Sequence, residues 1–121
     1  YVITHDLTNH FILLGVKANP YPYIKKSDIY VQTSKFEGFG LAIAEARILN
    51  VPVVTTNFEA VYNQMVQNKN GLVVNMDSES VADGIIKLIH NHNLRNEITE
   101  YLKLEKKGNV EEIEKFYNLV I

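Results

Sequence analysis

The sequence predicts an α/β fold, a parallel sheet with flanking helices, and three observations carry that expectation. Four short runs, His10–Leu14, Ile29–Thr33, Val51–Thr55 and Leu72–Asn75, have the length and β-branched content of strands. They read as apolar stretches rather than alternating ones, as strands covered on both faces do. The segments between them carry helical spacing, so strand and helix alternate, which favours crossovers over hairpins.

Each element follows from its residues. Pro20 opens the first connector, which runs to Ser27, with a residue suited to a first helical turn. The second connector, Leu41 to Asn50, is rich in alanine and leucine and stops ahead of Pro52, since proline disfavours helix in the residue before it. A third runs from about Glu59 to Gln67 and halts at "NKNG", a turn whose Gly71 suits a left-handed backbone. Beyond the last strand, Asp77 or Ser78 caps a helix with Val81, Ile85, Leu88 and Ile89 at helical spacing. Leu94, Ile98, Tyr101 and Leu102 repeat the pattern until Gly108 breaks it. A closing helix from Val110 sets Ile113, Phe116, Tyr117 and Val120 on one stripe, with Glu111, Glu112, Glu114 and Lys115 largely on the wet side.

Composition narrows the functions available. The 121 residues suffice for one domain and are short for a two-domain enzyme. Apolar residues make up 46%, charged residues 21%, and the formal net charge is −2, which gives no basis for a polyanion binder. The chain has no cysteine, which excludes disulfides, thiolate metal sites and cysteine nucleophiles. Its longest apolar runs, such as "FILLGV" at Phe11 to Val16, fall far below the roughly 20 residues of a membrane span. The start, "YVITHDLTNH", has no initiator methionine and no signal-peptide pattern, so the chain is expected to be a piece of a longer one.

The chemistry concentrates in "SKFEGFGLAIAEAR", Ser34 to Arg47. A loop there leaves the second strand and a helix begins near Gly40. Ligands of open parallel sheets bind beyond the carboxyl ends of strands, where this loop sits. Gly38 and Gly40 let the backbone approach a ligand closely, and the amides at the helix start favour an anion such as phosphate. Carboxylates would repel phosphate, so Glu37 and Glu45 need another partner. An ionised carboxylate accepts hydrogen bonds at two oxygens, which suits the adjacent hydroxyls of a ribose or hexose. Glu45 lies about one and a half turns into the helix with its side chain leaning back toward the start. A plainer reading stays open beside this one, with Glu45 an exposed charge near Arg47 and Glu37 a favourable charge at a helix start.

The blocks "SKFEGFGLAIAEA", "VPVVTT" and "NKNGLVV", in that order, resemble the C-terminal, nucleotide-sugar-binding domain of the GT-B retaining glycosyltransferases, the large family that includes sucrose synthases and many bacterial polysaccharide enzymes. The upstream "FILLGV", "NPYPYI" and "SDIYV" fit the same pattern, so the resemblance spans essentially the whole chain. It implies a Rossmann-like sheet and transfer of a hexose from a UDP- or GDP-sugar with retention, with no metal or other cofactor required. The residue matching Glu37 would lie beside the donor sugar as the catalytic carboxylate, with Gly38 in the same loop. Glu45 would bind the nucleotide ribose, and the amides of Phe39, Gly40 and Leu41 would lie near the diphosphate. Gly15, Val16 and Lys17 would give backbone contacts to the nucleobase, and Thr55 and Thr56 would line the cleft.

The resemblance also sets limits. Residues 1–121 would form a single partial domain, because no segment matches the family's acceptor-binding N-terminal domain or the first strands of its C-terminal domain, with their glycine–arginine pair and later lysine. In the usual doubly wound order two strands would stand between the first run here and the other three. The acceptor implied for the parent is a glycan or a lipid-linked sugar in bacterial surface-polysaccharide assembly. Cytoplasmic work is implied, with peripheral association at the inner membrane face and no nucleic acid. Two alternatives stay in view, a nucleotide-sugar epimerase of the same fold and a non-catalytic domain that binds a nucleotide or a partner chain.

Other residues carry less. His5, His10, His90 and His92 are scattered, and side chains two apart on a helix point differently, so no metal site is expected. Tyr21, Tyr23, Tyr30, Phe36 and Phe39 have no basic cluster around them and are expected in core and loop packing rather than in base stacking. Lys17, Lys25, Lys26 and Lys35 read as surface charge apart from the backbone role implied for Lys17.

Overall fold

The computed structural model describes residues 10–15, 17, 19–36 and 40–107, with the side chains of 106 and 107 excepted. Helix α1 (Tyr21–Lys25) leads to strand β1 (Tyr30–Gln32), then α2 (Leu41–Ile48), β2 (Val53–Thr56), β3 (Gly71–Val74), α3 (Ser78–His90) and α4 (His92–Lys107). The strands form one sheet in the order β1-β2-β3. Both pairings are parallel, with Val31 opposite Val54 and Val54 opposite Leu72. The predicted α/β fold with a parallel sheet and flanking helices is therefore the observed one.

Burial explains the layering. β2 is buried along its whole length, so its alternating side chains feed both faces of the sheet. Val53 joins Ile43, Ala46, Val51, Phe58, Val61, Met65 and Val73 on one face. Val54 joins Leu72, Leu88, Ile98 and Leu102 from β3, α3 and α4 on the other. Of the expected helical stripes, Leu88, Ile98 and Leu102 are buried, Val81, Ile85, Leu94 and Tyr101 are half-buried, and Ile89 is exposed.

Three expectations are corrected. His10–Leu14 is not a strand: Phe11, Ile12, Leu13 and Leu14 are 52%, 73%, 79% and 50% exposed. A strand needs a neighbouring ladder for its amides and carbonyls. The two strands that the resemblance puts between this run and β1 do not occur among the described residues, so the run has no ladder to join. The third connector is not a helix over 59–67 but a single 3-10 turn, Val61–Asn63. A side-chain amide just beyond it competes for its backbone. Asn70, fully buried, accepts from the Val66 amide at 2.9 Å and donates to the Gln64 carbonyl at 2.8 Å.

Gly71 supplies close approach instead of a left-handed turn, a conformation taken by Asn68 at φ 65°. A Cβ on Gly71 would stand 2.1 Å from the Val53 carbonyl oxygen. The predicted closing helix from Val110, and Gly108 before it, lie outside the described residues.

The helix ends are chemically specific. Asn50, at φ 63°, follows α2 and donates to the Arg47 carbonyl at 3.1 Å, while the Val51 amide donates to Ala46 at 3.0 Å. That pair of bonds is a Schellman stop, and asparagine tolerates the left-handed position it needs. Asp77 caps α3, accepting from the Ser80 amide at 2.7 Å and the Ser80 hydroxyl at 2.8 Å. The outer edge of β3 is met by a side chain. Gln67 accepts from the Val73 amide at 2.7 Å and donates to the Val73 carbonyl at 3.1 Å, as a neighbouring strand would.

Two predictions follow from these contacts. Gly71→Ala should lower the unfolding free energy by about 3 kcal/mol, the upper part of the usual overpacking range, read as a lower urea midpoint at unchanged slope. At Asp77, the Ser80 amide first and the Ser80 hydroxyl second hold the carboxyl below its ordinary value of 3.8. A depressed folded value means that the stabilisation is present above the unfolded value and is lost as pH falls through the folded one. Asp77→Ala should therefore lower the melting temperature at neutral pH, and the gap to wild type should close in acid below the ordinary carboxylate range.

Candidate functional site

All three strands run the same way, so their carboxyl ends share one end of the sheet. Hydrogen bonds link the chain leaving β1 to the end of β2. The Tyr30 hydroxyl donates to Gln32 Oε1 at 2.7 Å, and Gln32 Nε2 donates to Ser34 Oγ at 2.6 Å. The Thr56 hydroxyl donates to the Ser34 carbonyl at 2.5 Å. Thr55 is buried, with its hydroxyl 3.4 Å from the Thr56 carbonyl. Glu37, Gly38 and Phe39 follow in this loop and lie outside the described residues, as does Val16.

Helix α2 begins at Gly40, whose φ of 75° and ψ of 47° are left-handed. Glycine meets two demands here. It adopts that backbone without strain, and a Cβ would stand 2.5 Å from Gln64 Nε2. The Gly40 carbonyl accepts from the Ala44 amide at 3.2 Å and from Gln64 Nε2 at 3.0 Å. The first amides of a helix have no acceptor within the helix and form its positive end. Leu41, the first residue of α2, is 61% exposed while Gly40 before it is buried, and an amide end of this kind favours an anion.

Glu45 lies further along α2 and is half-buried. Its Oε1 accepts from the Tyr21 hydroxyl of α1 at 2.8 Å. That hydrogen bond chiefly, then burial and the carboxylate's charge, raises the Tyr21 phenol above its ordinary value of 10.0. A carboxylate offers about four acceptor positions, and Tyr21 takes one while fixing the direction of the group. Arg47, expected beside Glu45, turns away and pairs with Glu105 of α4.

Helix α1 also meets the segment expected near a nucleobase. Lys17 Nζ lies 5.8 Å from the centre of the Tyr23 ring, a cation–π distance. Gly15 is left-handed at φ 72°, with open space where a Cβ would be. Side chains of α1 thus touch Lys17 on one hand and Glu45 on the other. Gly40, Leu41 and Glu45 are brought together on one helix.

Two participants escape a reading of the sequence. Tyr21 looks like packing, because nothing in "NPYPY" says that its hydroxyl reaches a residue 24 positions later. Gln64 sits in a segment with helical pattern, and only the fold shows that it faces Gly40. At the opposite side of the molecule, His90 ends α3 and His92 begins α4, with His92 Nδ1 2.7 Å from Arg95. Among the described residues no three potential ligands gather as a metal site.

A family model described as glycosyl transferases group 1 matches residues 2–105. The capsular polysaccharide biosynthesis glycosyltransferase CapM of Staphylococcus aureus is 32% identical over 88 residues, covering 72% of this chain and 23% of its own length. The chain thus spans about a quarter of that relative. The C-terminal domain of a glycosyl transferase group 1 family protein (LpcC) from Francisella tularensis matches with a TM-score of 0.75 at 28% identity, over 90% of this chain and 58% of that one. A mutant of S. aureus TarM, solved with fondaparinux, alpha-GlcNAc-glycerol and UDP, matches with a TM-score of 0.79 at 29% identity, over 98% of this chain and 25% of that one.

The Tyr21–Glu45 contact is directly testable. In an ultraviolet pH titration the Tyr21 phenol, identified by its loss in Tyr21→Phe, should ionise above the ordinary phenol range, and Glu45→Gln should bring it back down. Because the raised folded value means stability lost as pH rises through it, Tyr21→Phe should remove part of the alkaline loss of stability.

Proposed function

This chain belongs to the glycosyl transferases group 1 family, and from that premise we propose that it forms the nucleotide-sugar-binding part of an enzyme transferring a hexose from a UDP- or GDP-sugar with retention of configuration. The observation that carries the reading is the start of α2. A left-handed Gly40 opens α2 beyond the carboxyl end of β1, and Glu45 follows on the same helix with its carboxylate held by Tyr21.

In this reading the diphosphate meets the amides of Gly40 and Leu41, joined by that of Phe39. Glu45 accepts from the ribose hydroxyls, Gly15, Val16 and Lys17 face the base through their backbone, and Thr55 and Thr56 stand at the cleft. Glu37, with Gly38 beside it, faces the donor sugar. During transfer the bond from the anomeric carbon to the diphosphate breaks and its electron pair leaves with the diphosphate. The acceptor oxygen forms the new bond, and its proton passes to the departing diphosphate. Charge grows on the leaving group, so fixed amide dipoles stabilise that stage most. No metal is needed for that role in this scheme.

Relatives such as CapM carry names from capsular polysaccharide biosynthesis, which supports a glycan or lipid-linked sugar as acceptor. Among the described residues no helix is long and apolar enough to cross a membrane. We place the transfer in the cytoplasm, at the inner membrane face when the acceptor is lipid-linked.

Calorimetric titration with UDP and with GDP tests the reading. One nucleotide should bind saturably, and Glu45→Ala should weaken it about tenfold or more, the worth of a hydrogen bond to a charged group. Equal affinity in wild type and variant would remove Glu45 from the site.

A further inference from the structure

We infer that Gln64 is a positioning residue for the diphosphate end of the site, setting the direction of the Leu41 amide through the carbonyl of Gly40. The inference rests on the nucleotide-sugar reading above and adds to it a residue outside the loop and helix.

The geometry starts from a rigid unit. The Gly40 carbonyl and the Leu41 N–H belong to one planar peptide and point in opposite directions. Whatever holds the carbonyl therefore aims the amide. Gln64 Nε2 holds it at 3.0 Å, beside the Ala44 amide at 3.2 Å. The helix alone would supply only the second of these bonds. Gly40 is buried and left-handed, and glycine is the residue most free to rotate, so a second donor restricts this peptide.

The orientation of Gln64 is determined from its other side. Arg47 Nη1 lies 3.2 Å from Gln64 Oε1. Arginine has donors only and a carbonyl is an acceptor only, so the oxygen must face Arg47 and the nitrogen must face Gly40. A flipped amide would lose both bonds. Arg47 is held in turn by Glu105 of α4, with Nε 3.0 Å from Glu105 Oε1 and a second bond from Nη2 to the same oxygen. The Gln64 carbonyl accepts from Asn70 Nδ2 at 2.8 Å, which anchors its backbone. The chain of contacts therefore runs from α4, through the end of α2, to the peptide at the beginning of α2.

Because Gln64 acts on an amide near the diphosphate, its loss should affect ligands by what they carry. Gln64→Leu removes the donor at similar size, and Gln64→Asn withdraws it by one methylene; both are neutral and add no repulsion. Each variant and the wild type would be titrated with UDP, GDP and the matching nucleosides uridine and guanosine, with a thermal melt alongside. The expected result is a roughly tenfold loss of affinity for the nucleoside diphosphate, the nucleoside unchanged, and a melting temperature within a few degrees of wild type. An equal loss on diphosphate and nucleoside, or no loss on either, would overturn the inference. So would failure of both variants to fold, which would make Gln64 a residue of the core. A wild type that binds neither diphosphate defeats the underlying reading instead, and this inference with it.

Discussion

β2 pairs in parallel with a strand on each side, and the rest of the molecule is placed by that ladder. Parallel neighbours cannot be joined by a tight turn, so each connection must travel back along the sheet. α2 and the irregular segment around Val61 do this on one face. The same geometry puts every strand's carboxyl end at one edge, which is why Ser34 and Thr56 meet there. Burial on both faces makes the ladder durable. Val53 and Val54 feed opposite clusters, and full burial of such side chains contributes about 1.5–3 kcal/mol each.

The charged contact behind the site has a different character. Arg47 and Glu105 are 18% and 20% exposed, so neither is fully solvated when it loses the other. A pair in this position gains little over apolar packing but is damaging to break. Its value here is directional: it fixes one end of α4 against α2. Asn70 approaches the same carboxylate, 3.5 Å from Glu105 Oε2, so the turn before β3 reports to this point too.

Much of the architecture is legible in local chemistry. Three apolar runs become strands with small shifts, Pro52 and the alanine-rich stretch bound α2, and Asp77 caps α3 as its type suggests. What is not legible depends on partners remote in sequence. Phe11 to Leu14 has strand composition, yet strand formation is a property of pairs. Glu59 to Gln67 has helical spacing, yet the Asn70 side-chain amide takes the Val66 amide and the Gln64 carbonyl, backbone groups a longer helix would use. Gly71 announces itself as a turn residue, but the demand it meets is a carbonyl oxygen of β2. In the site, Gly40 and Glu45 stand out in a reading of the chain because glycine and carboxylate at a helix start have few uses. Tyr21 and Gln64 do not, since a tyrosine or glutamine reveals its role only through what faces it.

The Gln67 amide gives the sheet a polarity. By filling the hydrogen-bonding groups of Val73 on the outer side of β3, it occupies the seat that an incoming strand would take. Lateral growth is hindered at that border by the Gln67 side-chain amide together with the Asn68 amide, which donates to the Gly71 carbonyl at 3.0 Å. Intermolecular strand addition at the β3 border would first have to evict a neighbour tethered only a few residues away.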